Sequence, residues 1–131
     1  MPLYVKNITV LAGKEKVEEV EVEGYAITHI SVMFPPGCCG LVGVQIKYGD
    51  KNIAPLPEDS MIKGAGETIS WDEHWVLPES PCKIKIRVKN DDVVYHHTVY
   101  VRIVTVKREQ LVSEQIARAI ARFLQRLFGF V

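Results

Sequence analysis

The sequence predicts a mainly β protein, an antiparallel β-sandwich with jelly-roll-like connections, followed by one C-terminal amphipathic α-helix. Residues 3–106 alternate short β-branched and aromatic runs with Gly, Pro, Asn and Asp, which is the pattern of strands and turns. No helical period interrupts these runs, so alternating strands and helices are disfavoured. A helical period begins only after residue 107. We therefore divide the chain into a sandwich domain at residues 1–106 and a helix at residues 107–131.

The strands are predicted from their alternation of apolar and polar residues. In KIKIRVK at residues 83–89, alternation places Ile84, Ile86 and Val88 on a buried face and four cations in water. Val99 and Val101 share one face of the last strand in the same way. The predicted strands lie at residues 3–11, 17–23, 26–34, 41–48, 67–77, 83–89 and 93–106.

The segments between strands are predicted from turn residues. Pro35-Pro36-Gly37 and Gly49-Asp50 supply the fixed or positive φ angles that turns require. Residues 54–66 contain a Pro cluster and a Gly cluster and are expected to form a long exposed loop that contacts a neighbour, a host surface or a ligand.

The C-terminal helix is predicted from residues 109–128, which contain no Pro or Gly. Its apolar residues cover about half the circumference, and three arginines lie on the opposite side. Such a face must be buried on the same sandwich, on copies of the helix, or in a membrane interface. The expected contact residues are Val112, Ile116, Ile120, Phe123, Leu124, Leu127 and Phe128, and the basic stripe is Arg118, Arg122 and Arg126.

Charge and length limit the classes of function. Sixteen Lys and Arg balance sixteen Asp and Glu, so no specific nucleic-acid partner is expected. Residues 14–23 hold two lysines against five glutamates, whereas residues 102–126 hold six cations against two glutamates. Opposed patches of this kind suit head-to-tail contacts in a homo-oligomer. The N-terminal residues lack the pattern of a signal peptide, so synthesis in the cytoplasm is expected.

No motif in the sequence indicates catalysis, a cofactor or a metal site. Cys38-Cys39 and the four histidines are of the types that bind Zn²⁺, but none has a zinc-site spacing. We interpret them as a cysteine pair in a turn and surface histidines. The chain can form at most one disulfide, between Cys82 and either Cys38 or Cys39. The protein is accordingly expected not to be an enzyme.

Trp71 and Trp75 are the candidate ligand-binding residues. Four residues apart on a predicted strand, they share one face. If exposed, they form an aromatic platform that stacks on sugar rings or bases; if buried, they supply core volume. Both readings stay open from the sequence.

Between His29 and Ile103, the segments PPGCCGLVGVQIKYG, GAGETISWDEHWVLPESP and HHTVYVRI resemble small β-sandwich virion proteins of phages and archaeal spindle-shaped viruses. The resemblance implies a structural virion protein, a tail or nozzle subunit located in the virion. It would form a symmetric ring and contact other virion proteins. No residue roles follow from it.

Two alternatives remain. The first is a carbohydrate-binding or adhesion module that uses Trp71 and Trp75. The second is a peripheral membrane protein anchored by its helix.

Overall fold

The computed structural model describes residues 2–57 and 59–128 and, within them, all side chains except those of residues 109–114 and 128. It contains nine strands and one helix in this part of the chain. Their bounds are β1 Leu3–Val10, β2 Glu15–Val22, β3 Ala26–Phe34, β4 Val42–Tyr48, β5 Lys51–Ala54, β6 Ile62–Lys63, β7 Glu67–Val76, β8 Cys82–Asn90, β9 His97–Val106 and α1 Arg108–Phe128.

The strands form two antiparallel sheets packed as a sandwich, which confirms the predicted fold class. One sheet has the order β1-β9-β3-β7, and the other has the order β2-β8-β4-β5. The short strand β6 also pairs with β4, beside β5. Successive strands change sheet everywhere except from β4 to β6. This is a jelly-roll order in which one strand position is shared by β5 and β6.

The core lies between the two sheets and consists mainly of Ile and Val. In β8, Ile84, Ile86 and Val88 are fully buried while the residues between them face outward, as their alternation predicts. β4 differs because both of its faces are covered. Met61 packs over Gly43 on the outer face, where even a Cβ atom would lie 2.8 Å from the Met61 sulfur.

Two of the predicted boundaries are wrong. β9 begins at His97 rather than at residue 93, because residues 93–96 belong to a turn. The predicted loop at 54–66 is only partly exposed. Its residues Ala54 and Ile62 are buried, and they belong to β5 and β6, which are too short to show an alternating pattern.

Three of the four glutamates of β2 lie opposite lysines of β8 on the outer face of one sheet. The register sets Glu15 opposite Lys89, Glu19 opposite Lys85 and Glu21 opposite Lys83. Cross-strand pairs of opposite charge stabilise a sheet modestly. Much of the negative charge expected to face a neighbouring subunit is therefore matched within the chain.

The helix α1 leaves the sandwich at the end of β9. Residues 115–127 are exposed along their whole length. At the start of the helix, the Arg108 guanidinium lies over the Tyr25 ring, 5.8 Å from its centroid. Among the described residues, no helix is long and apolar enough to cross a membrane.

Gly64 offers a test of this packing. A Cβ atom there would lie 2.7 Å from Cδ2 of Phe34, which is fully buried. We expect Gly64→Ala to lower the free energy of unfolding by about 1–3 kcal/mol, as overpacked cores do. Urea denaturation measures the change. Phe34→Leu removes the obstructing ring atoms, so it should lower the free energy of unfolding less in the Gly64→Ala variant than in the wild-type chain. Strictly additive losses would contradict the contact.

Candidate functional site

The helix α1 presents an apolar side that nothing in the described structure covers. Ile116, Ile120, Phe123 and Leu127 are each between 55% and 62% exposed, and Leu124 is less so. The arginines of the basic stripe, Arg118, Arg122 and Arg126, are exposed on the other side. The side chains of Val112 and Phe128, two of the predicted contact residues, lie outside the described part. The helix therefore does not fold back along its own sandwich over residues 115–127.

Trp71 and Trp75 both lie on the inward side of β7, half-buried against the core. Trp75 packs on Tyr48, with ring centroids 5.5 Å apart and planes inclined by 56°. The Tyr48 hydroxyl donates to Glu79 Oε1 at 3.2 Å. Burial, together with the Glu79 carboxylate, raises the pKa of Tyr48. Trp75 thus serves packing at the edge of the core.

Trp71 lines a pocket of about 320 Å³ at the open edge of the sandwich. Its indole Nε1 donates to Glu73 Oε1 at 3.1 Å, and Glu73 is the one charged residue among the described residues of the lining. The pocket forms because β5 and β7 are edge strands of opposite sheets, and the described part of the chain has no further strand beyond either. Trp71 is therefore a wall of the pocket and Trp75 packs on Tyr48, so the two tryptophans do not form a flat platform. The other lining residues are Ile53, Ala54, Pro55, Leu56, Ile62 and Ile69.

A buried polar network closes one end of the sandwich. His97 Nε2 lies 2.8 Å from Asp92 Oδ2, and the two side chains are only 10% and 11% exposed. The other carboxylate oxygen, Oδ1, accepts hydrogen bonds from the backbone N–H groups of Val94 and Tyr95. The interpretation of His97 as a surface histidine is therefore wrong. Its partner lies five residues away in a turn, and nothing in the spacing predicts that contact.

Asn90 completes the network from the end of β8. Its side-chain Nδ2 donates to the carbonyls of Val10 at 3.1 Å and Tyr95 at 3.0 Å, and its Oδ1 accepts from the Asp92 N–H at 2.9 Å. One buried amide thereby joins the end of β1, the end of β8 and the turn before β9. Buried side-chain networks of this kind hold a loop in one conformation.

The three cysteines are free thiols. Cys38 and Cys82 are buried, and burial raises the pKa of both, which disfavours the reactive thiolate. Cys39 is exposed in the turn before β4, with a positive φ of 50°. Within the described residues, no three potential ligands come together as a metal site.

No protein-family model and no curated protein matches this chain. Two solved structures show a distant likeness. The crystal structure of the Yersinia pseudotuberculosis-derived mitogen YPM has a TM-score of 0.45 and 8% identity, covering 82% of this chain and 87% of that one. The crystal structure of PirA has a TM-score of 0.38 and 13% identity, covering 77% of this chain and 94% of that one. Both are β-rich, and the likeness extends no further.

The buried network predicts a loss of stability in acid. The pKa of Asp92 is lowered because His97 and the Val94 N–H donate hydrogen bonds to its carboxylate. The pKa of an aspartate in the unfolded chain is about 4. A carboxyl whose pKa is lower in the folded state stabilises the fold at a pH above the unfolded pKa. This contribution is lost as the pH falls through the folded-state pKa. Below about pH 4, the free energy of unfolding should fall less steeply for Asp92→Asn than for the wild type.

Urea denaturation across a pH series makes the measurement. Asp91→Asn is the matched control, because Asp91 is the exposed neighbour of Asp92 and lies outside the network. It should follow the wild-type pH dependence. Equal acid slopes for Asp92→Asn and the wild type would contradict the role given to Asp92.

Proposed function

We propose that this chain is a structural subunit that assembles with copies of itself into a symmetric ring through α1. One observation supports the proposal: the apolar side of α1 is exposed over residues 115–127 while the sandwich already has a complete core. In proteins, most of the stability of an amphipathic helix comes from packing of its apolar face. Removing each of its large apolar side chains from water would contribute about 1–2 kcal/mol.

The spacing within α1 favours a second helix as the partner. Ile116, Ile120, Phe123 and Leu127 recur at steps of four, three and four residues. Such steps form a narrow seam along which side chains of neighbouring helices interdigitate. The arginines then lie outside the seam, in water or against acidic groups. Assembly through the helix leaves both sheets of the sandwich unchanged.

The setting that we propose for this assembly is a virion tail or nozzle, with other virion proteins as further partners. The sequence resemblance supports this setting, and the small rigid sandwich with a protruding helix is compatible with it. In such a ring the helices meet at the interface and the sandwiches lie around it. Because charges on β2 and β8 are matched within the chain, the helix is the main surface left for contacts between subunits.

Light scattering tests the assembly. The full chain should be an oligomer, and Ile116→Ser, Ile120→Ser and Phe123→Ser together should reduce it to a monomer, because these changes remove the seam. The control carries Gln115→Ser, Ala121→Ser and Gln125→Ser on the polar side and should keep the oligomer. A wild-type chain that is monomeric at both low and high salt would overturn the proposal.

A second candidate is a carbohydrate-binding module, favoured by the pocket of Trp71 and Glu73. An indole wall offers stacking to a sugar ring, and a carboxylate inside an apolar pocket accepts hydrogen bonds from its hydroxyls. Trp75 has no part in this site, because it packs on Tyr48. The candidate therefore rests on one tryptophan rather than two.

A glycan array separates this candidate from the first. Trp71→Ala should weaken glycan binding at least about tenfold, since it removes the stacking surface. Trp75→Phe, which keeps an aromatic ring against Tyr48, should leave binding unchanged. Absence of binding by the wild-type chain, or unchanged binding by a folded Trp71→Ala variant, would exclude the pocket as a glycan site.

A further inference from the structure

We propose that the end of the sandwich opposite α1 is a membrane-contacting site that inserts into the interface of a lipid bilayer. Its apolar tip consists of Leu11, Val93, Val94 and Tyr95, from the β1–β2 and β8–β9 turns. β9 runs from this end at His97 to the other end at Val106, where α1 begins. The inference is independent of the proposed assembly, because it concerns the opposite end of the molecule.

The four side chains form the most exposed apolar cluster in the described sandwich. Val93 is 87% exposed, and Leu11, Val94 and Tyr95 are each 66% exposed. The Gly13 N–H donates to the Asp92 carbonyl at 2.9 Å and so ties the two turns together. A contiguous apolar patch on a soluble protein often marks an interaction site.

Several backbone polar groups of the tip are hydrogen-bonded within the protein. The N–H groups of Val94 and Tyr95 donate to Asp92 Oδ1 at 2.9 and 3.3 Å. The Tyr95 carbonyl accepts from Asn90 Nδ2. In hydrocarbon, each unsatisfied polar group costs several kcal/mol, so a turn that enters a membrane must bond these groups internally. Here the side chains of Asp92 and Asn90 provide three of these bonds.

The size and shape of the tip favour lipid over a protein or a small molecule. Four residues expose a few hundred Å² at most, well below the roughly 800 Å² per partner of a stable protein interface. Sites for small ligands are concave, whereas Val93, Val94 and Tyr95 are each at least 66% exposed rather than enclosed. Membrane insertion needs only a few apolar side chains, and a tyrosine suits the boundary between headgroups and chains.

The charges around the tip are mixed. Lys14 and Asp91 are exposed beside it, and Lys89 Nζ lies 3.8 Å from Asp91 Oδ1. With no excess of one sign, insertion should depend weakly on lipid charge and on salt. The arginine stripe of α1 would behave differently, because it would require anionic lipid and low salt. This difference separates the two possible membrane contacts.

The first experiment places a tryptophan at the tip. The full chain carrying Val94→Trp is mixed with vesicles of brominated phosphatidylcholine in about 0.5 M salt, at which surface charges are screened. We expect quenching beyond the wild-type level, which reports the native Trp71 and Trp75. Leu56→Trp is the matched control, because Leu56 is 74% exposed and lies on the pocket rim. Equal quenching at positions 94 and 56, or none at either, would overturn the proposal.

The second experiment measures vesicle co-sedimentation of the full chain. Val93→Ser and Val94→Ser should each weaken binding to phosphatidylcholine by about tenfold, because each removes a buried apolar side chain. Both sites are exposed, so folding should be kept. The α1 seam variant should still bind vesicles. Binding that is lost with the seam variant and kept in the tip variants would assign the membrane contact to α1 and overturn the proposal. Tip variants that change the oligomer mass and keep vesicle binding would also overturn it, since the tip would then be a protein contact.

Discussion

The fold depends on the burial of alternating Ile and Val side chains from β8 and β9 between the two sheets. Each is a central strand of its sheet, with β9 between β1 and β3 and β8 between β2 and β4. Their inner residues are fully or almost fully buried, so these two strands supply the centre of the core. The polar groups of the candidate sites therefore lie at the edges and ends of the sandwich. The pocket, the polar network and the helix all lie in these places.

The two central strands also determine the ends of the sandwich at which the apolar tip and the helix lie. β8 and β9 are joined by the turn at residues 91–96, and α1 follows the far end of β9. The apolar tip and the helix therefore project from opposite ends. If the helices form the ring, the tips of all subunits lie on the side away from the helical seam. Several weak membrane contacts on one assembly would then act together, since linked sites gain affinity from their high local concentration.

The sequence predicts the regular parts of this structure well, because a period of two marks a strand with one buried face. The strand at residues 26–34 has the predicted bounds, and the helix begins one residue before the predicted start. The start of β9 could not be predicted, since Val93, Val94 and Tyr95 have the composition of a strand. The hydrogen bonds of Asp92 and Asn90 to this turn hold these residues outside the sheet. β5 and β6 were too short to show any period.

The candidate sites were less predictable than the fold for a related reason. Alternation places Trp71 and Trp75 on the same face of β7, but their different surroundings depend on where the opposite sheet ends. Beside Trp75 the opposite sheet supplies Tyr48, and beside Trp71 it ends at β5 and leaves a pocket. Such a difference is set by distant strands, so local spacing carries no information about it. The exposure of α1 over residues 115–127 could likewise be seen only in three dimensions.

The position of the acidic strand has a consequence for solubility. β2 is the outermost strand of its sheet, so its outer edge is open to pairing with a strand of another molecule. If two copies joined there, the glutamates of one β2 would lie beside those of the other. Their mutual repulsion would oppose the continuous sheets through which β proteins aggregate into fibres. Charged residues on an edge strand are one means by which natural sheets avoid pairing with other molecules.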